Sequence, residues 1–200
     1  MPDPKPERPD LDDYLKSDDI IDFDDSSIEE ASEQLIEGLK DNISKAQAIF
    51  EFVRDQIFHS FQISATSVTL KASEVLDKGH GICYAKAHLL TAMMRAAGIP
   101  AGLCYQIIRD ESDDRLVVHG LSAIYIEEIE KWIRLDASKG IEEINTFIDF
   151  DRELPGLTVN TEIGEQDDPT IYILPSKQVI KALRKSQTVD ELRNNLPDKI

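Results

Sequence analysis

The sequence predicts an α+β fold in which a central helix packs on an antiparallel sheet. Up to residue 98, apolar residues recur at helical spacing, whereas residues 101–136 are rich in the residue types that suit a pleated surface. A run of helices followed by a run of strands is typical of the α+β class. With 200 residues and 41% hydrophobic content, the chain can bury the core of one domain.

The domain is expected to span residues 11–200. Residues 1–10, MPDPKPERPD, are rich in proline and charge, and we expect them to form a disordered arm. Residues 141–200 are expected to form a C-terminal extension of this domain.

Two amphipathic helices are predicted before the centre of the domain. Ser27 and Glu30 have the spacing of a capping box that opens a helix ending at Ile36. Ser44 and Gln47 open a second helix in the same way, and its apolar residues follow helical spacing along one face: Ala46, Ile49, Phe50, Val53 and Ile57. That face is predicted to join the core.

The central helix is predicted in "ICYAKAHLLTAMMRAAGIP", which ends at Gly98 and Pro100. A short helical turn, "KASEVLDKGHG", precedes it and is broken by two glycines. The middle of the central helix is apolar almost all round, as expected of a helix buried at the centre of a domain. Cys83 therefore falls in the first turn of a buried helix.

Three antiparallel strands are predicted after this helix, over residues 101–108, 115–126 and 131–136. Residues 140–170 carry few strong signals and are expected to form a long excursion. Two short helices are then predicted in "SKQVIKALRKS" and "TVDELRNNL".

Composition excludes several classes of partner. The formal net charge of −17 disfavours nucleic acids and anionic membrane surfaces, because both are bound through clustered lysine and arginine. No apolar run approaches the roughly 20 residues needed to cross a bilayer, and the N-terminus lacks the pattern of a secretory signal. Two cysteines do not form a disulfide framework, so we expect free thiols and a cytoplasmic location.

The acidic stretch around residues 18–33 invites a calcium interpretation. Asp22, Asp24, Ser26 and Glu33 fall at positions one, three, five and twelve of a calcium loop, but Ser27 replaces the turn glycine. We therefore expect a helix cap with solvated aspartates here, and no metal site.

Three polar residues form the candidate catalytic site: Cys83 at the helix start, His119 within a strand and Asp136 at the end of the next strand. A helix N-terminus favours a thiolate and supplies N–H donors for an oxyanion. An imidazole completes the ion pair, and a carboxylate fixes its tautomer. If the hairpin turns across Glu127 and Glu128, His119 and Asp136 face each other about 5 Å apart.

Each of the other cysteine and histidine residues has an ordinary explanation. Cys104 lies in mid-strand, where it is expected to pack, and His59 and His88 are assigned to the surface or core. His80 competes with His119 because it lies three residues before Cys83, yet no orienting carboxylate is apparent beside it.

A family resemblance supports the same three residues. The stretch "ASEVLDKGHGICYAKAHLLTAMMRAAGIPAGLC", followed by "VVHGLSAIYI" and "KWIRLDAS", strongly resembles the bacterial transglutaminase-like superfamily, whose fold is related to that of papain. The resemblance covers about residues 45–140. It implies a papain-like core in which Cys83 is the nucleophile, His119 is its base and Asp136 orients the histidine.

The resemblance also implies an activity. We expect cysteine-dependent transfer or hydrolysis of an amide in a protein or peptide substrate, through a thioester and without a cofactor. A non-catalytic peptide-binding module with the same fold is the alternative. Family members usually have a tyrosine near the end of the lead-in helix, where this chain has Phe58 or Phe61, so only the backbone N–H of Cys83 is identified as an oxyanion donor.

Overall fold

The computed structural model describes residues 4–110, 114–138, 148 and 158–200. The helices in these residues are α1 (Ser26–Ile36), α2 (Asn42–Gln56), α3 (Ala72–Lys78), α4 (Cys83–Ala96), α5 (Lys177–Lys185) and α6 (Val189–Asn194). The strands are β1 (Lys5–Pro6), β2 (Phe58–His59), β3 (His80–Gly81), β4 (Ala101–Arg109), β5 (Leu116–Ile126), β6 (Lys131–Leu135), β7 (Gln166–Asp167) and β8 (Thr170–Ile171). No helix in this part of the chain is long and apolar enough to span a membrane.

The main sheet has four antiparallel strands in the order β6-β5-β4-β7. Its longest ladder joins β4 to β5 and runs from the pair Ala101 and Ile124 to the pair Arg109 and Leu116. The three strands predicted from the sequence are confirmed, because β-branched and aromatic residues there pack on a pleated surface.

Helix α4 lies at the centre of the fold, as its composition predicts. Every residue from Tyr84 to Arg95 is buried. Helices α1, α2 and α3 contact it, and so do strands β4 and β5. One large apolar cluster includes residues of these helices and strands, so a single core holds the helix and the sheet together. The α+β class is confirmed.

The first two helices begin earlier than their serines predict. Asp25 is the N-cap of α1, and its carboxylate accepts from the Ser27 backbone N–H at 2.9 Å. Asp41 caps α2 and accepts from the Ser44 N–H at 2.7 Å. An aspartate caps a helix as well as a serine does. The two serines therefore lie in the first turn of each helix, and their hydroxyls donate to the same carboxylates.

The start of the chain corrects the expectation of a disordered arm over residues 1–10, of which residues 4–10 are described. Strand β1 runs parallel to β8. The Lys5 N–H donates to Pro169 at 2.7 Å, and the Glu7 N–H donates to Ile171 at 2.9 Å. Proline and charge disfavour a core, but they do not prevent extended backbone from pairing with a strand edge near the other end of the chain.

The second half of the predicted excursion returns to the sheet. Residues 139–147 and 149–157 lie outside the described part, so that portion of the expectation is not addressed. Strand β7 then pairs with β4. The two C-terminal helices form where expected, and they begin at the side-chain caps Ser176 and Thr188.

Candidate functional site

The start of α4 places a partly exposed Cys83 at a helix end. Ile82 is the N-cap residue and offers no side-chain acceptor, and no other described side chain caps the first N–H groups of this helix. Cys83 is partly exposed, whereas Cys104 is fully buried in β4. The thiol of Cys83 can therefore meet a ligand, and the free N–H groups beside it favour a negative charge. Cys104 packs in the core as the sequence predicts.

His119 joins Cys83 to Asp136. Its Nε2 atom lies 3.1 Å from Oδ2 of Asp136, and the sulfur of Cys83 is near enough to raise the pKa of the ring. Because Nε2 faces the carboxylate, Nδ1 is the ring nitrogen that can interact with the sulfur of Cys83. The three residues singled out from the sequence thus lie close together.

The strand register that leads to this contact differs from the predicted one. The predicted hairpin opposes His119 to Asp136, but the last pairs observed are Ile126 with Lys131 and Ser122 with Leu135. The turn is longer than expected, because it contains a 3-10 turn over residues 127–129 and a left-handed Glu130. This moves the register by two residues, and a shift of two keeps each side chain on its original face. Asp136 therefore reaches His119 diagonally.

Asp136 is held by a residue that the sequence analysis did not assign. The Ser138 hydroxyl donates to Oδ1 of Asp136 at 2.5 Å, and the Ser138 backbone N–H donates to the same atom at 2.8 Å. These two bonds occupy Oδ1 and leave Oδ2 for His119. The signal was present in the sequence, because an Asp followed two residues later by Ser commonly forms this local turn.

The charges of the site favour an ion pair. Burial alone would lower the pKa of His119, but the Asp136 carboxylate, the Cys83 sulfur and the hydrogen bonds to both raise it to about 10. Burial opposes ionisation of Asp136, yet the His119 imidazolium and the hydrogen bonds from His119 and Ser138 lower its pKa to about 2. At neutral pH the imidazole is therefore protonated beside a carboxylate.

His80 is accounted for without catalysis. The Ser60 hydroxyl lies 3.0 Å from its Nδ1 atom, and the Ser67 hydroxyl lies 3.5 Å from Nε2. Both ring nitrogens thus have hydroxyl partners in the loop before α3. His80 is a buried residue whose ring partners among the described residues are these two hydroxyls.

His88 belongs to the core. Its Nδ1 atom lies 2.8 Å from the Leu70 carbonyl oxygen, and burial lowers the pKa of its imidazole to about 4. A neutral, fully buried histidine satisfies the assignment made from sequence.

Two residues near the site were missed. The charges of His119 and Asp136 act on the ring of His59, which is partly exposed. Lys86 lies one turn after Cys83, is buried, and donates from Nζ to the Ile57 carbonyl at 2.6 Å. The short pairing of β2 with β3 brings this part of the chain to the start of α4, and strands of two residues have no periodic pattern in the sequence.

The C-terminal segment reaches two neighbouring parts of the site. The Arg193 guanidinium lies 4.2 Å from the centre of the Phe61 ring, in the loop after β2. The Val118 N–H, next to His119, donates to the Pro197 carbonyl at 2.7 Å. Helix α6 and the residues after it therefore contact both β5 and the loop after β2.

The residues of the rejected calcium pattern have other partners. Asp22 accepts from the Ser73 hydroxyl at 2.7 Å, and Asp24 accepts from Ser17. Ser26 and Glu33 lie within α1. Over the described ranges, no group of three or more His, Cys, Asp or Glu side chains is arranged to hold a metal ion.

Comparison with solved structures found similar chains. A protein described as "Putative Cysteine Protease from Cytophaga hutchinsonii" is 20% identical, with a TM-score of 0.55 over 66% of this chain and 43% of that chain. The periplasmic domain of TgpA from Pseudomonas aeruginosa is 18% identical, with a TM-score of 0.44 over 62% and 45% of the two chains. The alignments span less than half of each of those chains. The first likeness shows a shared fold.

The family is shown by the sequence itself. A comparison with curated proteins found no match. The family model described as "Transglutaminase-like superfamily" matches residues 29–137, more than half of the chain. The matched residues include the start of α4, the whole of β5 and the residue that follows β6. The chain belongs to the transglutaminase-like superfamily.

Proposed function

We propose that this protein is a thiol enzyme that breaks an amide bond in a peptide or in a glutamine side chain. The observation that supports the proposal is the His119 ring, which lies 3.1 Å from Asp136 and whose pKa is raised by both Asp136 and Cys83. A thiol at an uncapped helix start beside a protonated imidazole is the arrangement that nucleophilic thiol catalysis requires.

The reaction follows from the types of the three residues and from the protonated state of His119. The Cys83 thiolate attacks the carbonyl carbon, and the electron pair of the C=O double bond moves to oxygen. When the tetrahedral intermediate collapses, the C–N bond breaks and the His119 imidazolium gives its proton to the leaving amine. Asp136 keeps the ring oriented throughout and does not take up the proton.

The second half of the reaction is proposed to be hydrolysis. His119, now neutral, removes a proton from water, which attacks the thioester and releases a carboxylic acid with regeneration of Cys83. Transfer to an amine requires a dry entrance with aromatic walls, and only 6% of this chain is aromatic. Protein or peptide substrates with neutral or basic character suit a chain with a net charge of −17.

The test is formation of an acyl-enzyme followed by turnover of an amide. Wild-type protein and two variants, Cys83→Ala and Cys104→Ala, are treated with p-nitrophenyl acetate, and the acetylated residue is located by peptide mass mapping. We expect acetyl-Cys83 in the wild type and in Cys104→Ala, and none in Cys83→Ala.

Amide turnover is measured separately. The same proteins are incubated with a peptide library containing glutamine, and new termini, released ammonia and crosslinks are followed by mass spectrometry. Products that require Cys83 identify proteolysis, deamidation or transfer. An absence of both acetyl-Cys83 and amide products would contradict the proposal and favour a binding module.

A further inference from the structure

His59 lies beside the start of α4 because two short strands pair. Strand β2 runs parallel to β3, with His59 in register with Gly81, two residues before Cys83. The Ser60 N–H donates to the Gly81 carbonyl at 3.1 Å and continues this pairing past His59. The backbone of His59 is therefore fixed against the segment that leads into the helix.

The ring of His59 has no partner within the described ranges. No hydrogen bond to either ring nitrogen is found there. The ring nitrogens are also not among the fully buried polar atoms that have no partner. At least one ring nitrogen therefore faces open space. The Phe61 ring packs against the imidazole at 5.3 Å and 66°, which restricts its orientation.

The charges around His59 keep its ring neutral. Lys86, His119, Asp136 and Arg193 all act on it electrostatically. Burial, followed by the Lys86 ammonium, lowers the pKa of His59 to about 4. A neutral imidazole carries one N–H donor, and it is not a competing base for the thiol at neutral pH.

Lys86 contributes to this arrangement through two contacts. Its Nζ atom donates to the carbonyls of Ile57 at 2.6 Å and Arg54 at 3.3 Å, at the C-terminal end of α2. These bonds tie the residue before β2 to α4, one turn below Cys83. The same ammonium disfavours a positive charge on His59.

We propose that His59 is a catalytic residue that donates its ring N–H to the oxyanion formed when Cys83 attacks a carbonyl group. The inference rests on the proposed function. The backbone N–H of Cys83 is the other donor, and the neighbouring side chains Phe58 and Phe61 have no donor group; Phe58 is also 58% exposed. His59 is the polar side chain of β2, and it follows α2 in the chain.

The His59 N–H forms and breaks no covalent bond during the reaction. The thiolate forms the S–C bond, the carbonyl oxygen gains the negative charge, and the N–H groups stabilise that charge until the C–N or C–O bond breaks. The proton that leaves with the amine comes from His119. His59 therefore affects the barrier to acylation, but not the alkylation of Cys83 by iodoacetamide, which forms no oxyanion.

This difference provides the test. His59→Phe, His59→Gln and the control Phe58→Leu are compared with wild type in acetylation by p-nitrophenyl acetate and in alkylation by iodoacetamide. Loss of one oxyanion donor lowers such rates about 100-fold. We expect a loss of this order in acetylation for His59→Phe, recovery of most of the rate in His59→Gln, and unchanged alkylation in both variants.

The outcomes separate the two proposals. Wild-type protein that forms neither acetyl-Cys83 nor amide products overturns both the enzyme proposal and the role of His59. Wild-type acetylation that persists in His59→Phe overturns the role of His59 alone. If His59→Phe loses acetylation and alkylation to the same extent, and His59→Gln recovers neither, His59 is structural. That result also overturns its role as an oxyanion donor.

Discussion

Helix α4 touches strand β5 at Gly120, where a Cβ atom would lie 2.8 Å from Cδ1 of Tyr84. The Tyr84 hydroxyl donates to the Val118 carbonyl, so the tyrosine is fixed at both ends of its side chain. Cys83 and His119 are the residues immediately before this pair. The close approach of Tyr84 and Gly120 therefore brings the thiol to the imidazole.

Replacing Gly120 with alanine tests this positioning. The new methyl group would meet Tyr84 at 2.8 Å and 3.4 Å, so α4 must move away from β5. Overpacking of this kind costs about 1–3 kcal/mol of stability, and a misplacement of about 1 Å lowers catalytic rates about 100-fold. We expect slower acetylation of Cys83 in folded Gly120→Ala.

The control for that variant is Val117→Ala, which removes buried volume from the same strand and adds no atom toward α4. It is expected to lose stability while keeping the acetylation rate. Equal acetylation rates in Gly120→Ala and wild type would show that the contact does not position Cys83.

The titration of His119 provides a second prediction. Its pKa is about 10, above the ordinary value near 6.5, so its stabilising contribution is fully present below about pH 6.5 and is lost as the pH rises through about 10. The pKa of Asp136, about 2, contributes stability that is present above about pH 4 and lost as the pH falls through about 2. Within the range between, the ion pair persists.

Labelled-histidine NMR checks this prediction. The His119 ring is expected to show no inflexion between about pH 5.5 and 8.5, where an unperturbed histidine titrates. Asp136→Asn should move its titration to lower pH, because the Asp136 carboxylate is the largest of the influences that raise the pKa. An inflexion near 6.5 in the wild type would show that the pair does not form.

The sequence predicted the elements that have a period and missed those that depend on distant pairing. Helix α4 and strands β4 to β6 have clear apolar patterns, so their bounds agree closely with the prediction. The parallel pairing of His59 with Gly81 joins strands of two residues, which are too short for any pattern. The pairing of Lys5 with Thr170 joins opposite ends of the chain and has no local signal.

The candidate site shows the same division. Residue types and their order identified Cys83, His119 and Asp136, because nucleophilic thiol chemistry requires those groups. The register between β5 and β6 was not predictable, since it depends on whether the turn accommodates Glu130 in the left-handed region. The error was two residues, and the alternation of side chains in a strand preserved the shared face.

Acid stability provides a third prediction through His88. Its imidazole is buried with a pKa of about 4, below the unfolded value near 6.5, so its contribution to stability is present above about pH 6.5 and is lost as the pH falls toward 4. His88→Gln removes the titrating group and keeps a donor for the Leu70 carbonyl.

Urea denaturation at pH 7 and pH 5 measures the effect. We expect the wild type to lose about 1–2 kcal/mol more of its free energy of unfolding over this interval than His88→Gln does. The same loss in both proteins would show that His88 is protonated without cost in the folded state.

The last prediction concerns a buried ion pair between two strands of the main sheet. Nη1 of Arg134 in β6 lies 2.8 Å from Oδ1 of Asp167 in β7, with side-chain exposures of 4% and 3%. Gln106 of β4 donates to the same oxygen at 2.6 Å, so the cluster links three strands. Arg134→Met leaves the Asp167 charge buried without this partner, and we expect a loss of about 3–5 kcal/mol in the free energy of unfolding. The double variant Arg134→Met/Asp167→Leu removes both charges and should regain most of that loss in urea denaturation. The single variant Asp167→Leu completes the comparison. If the loss in the double variant equals the sum of the two single losses, the pair is not coupled.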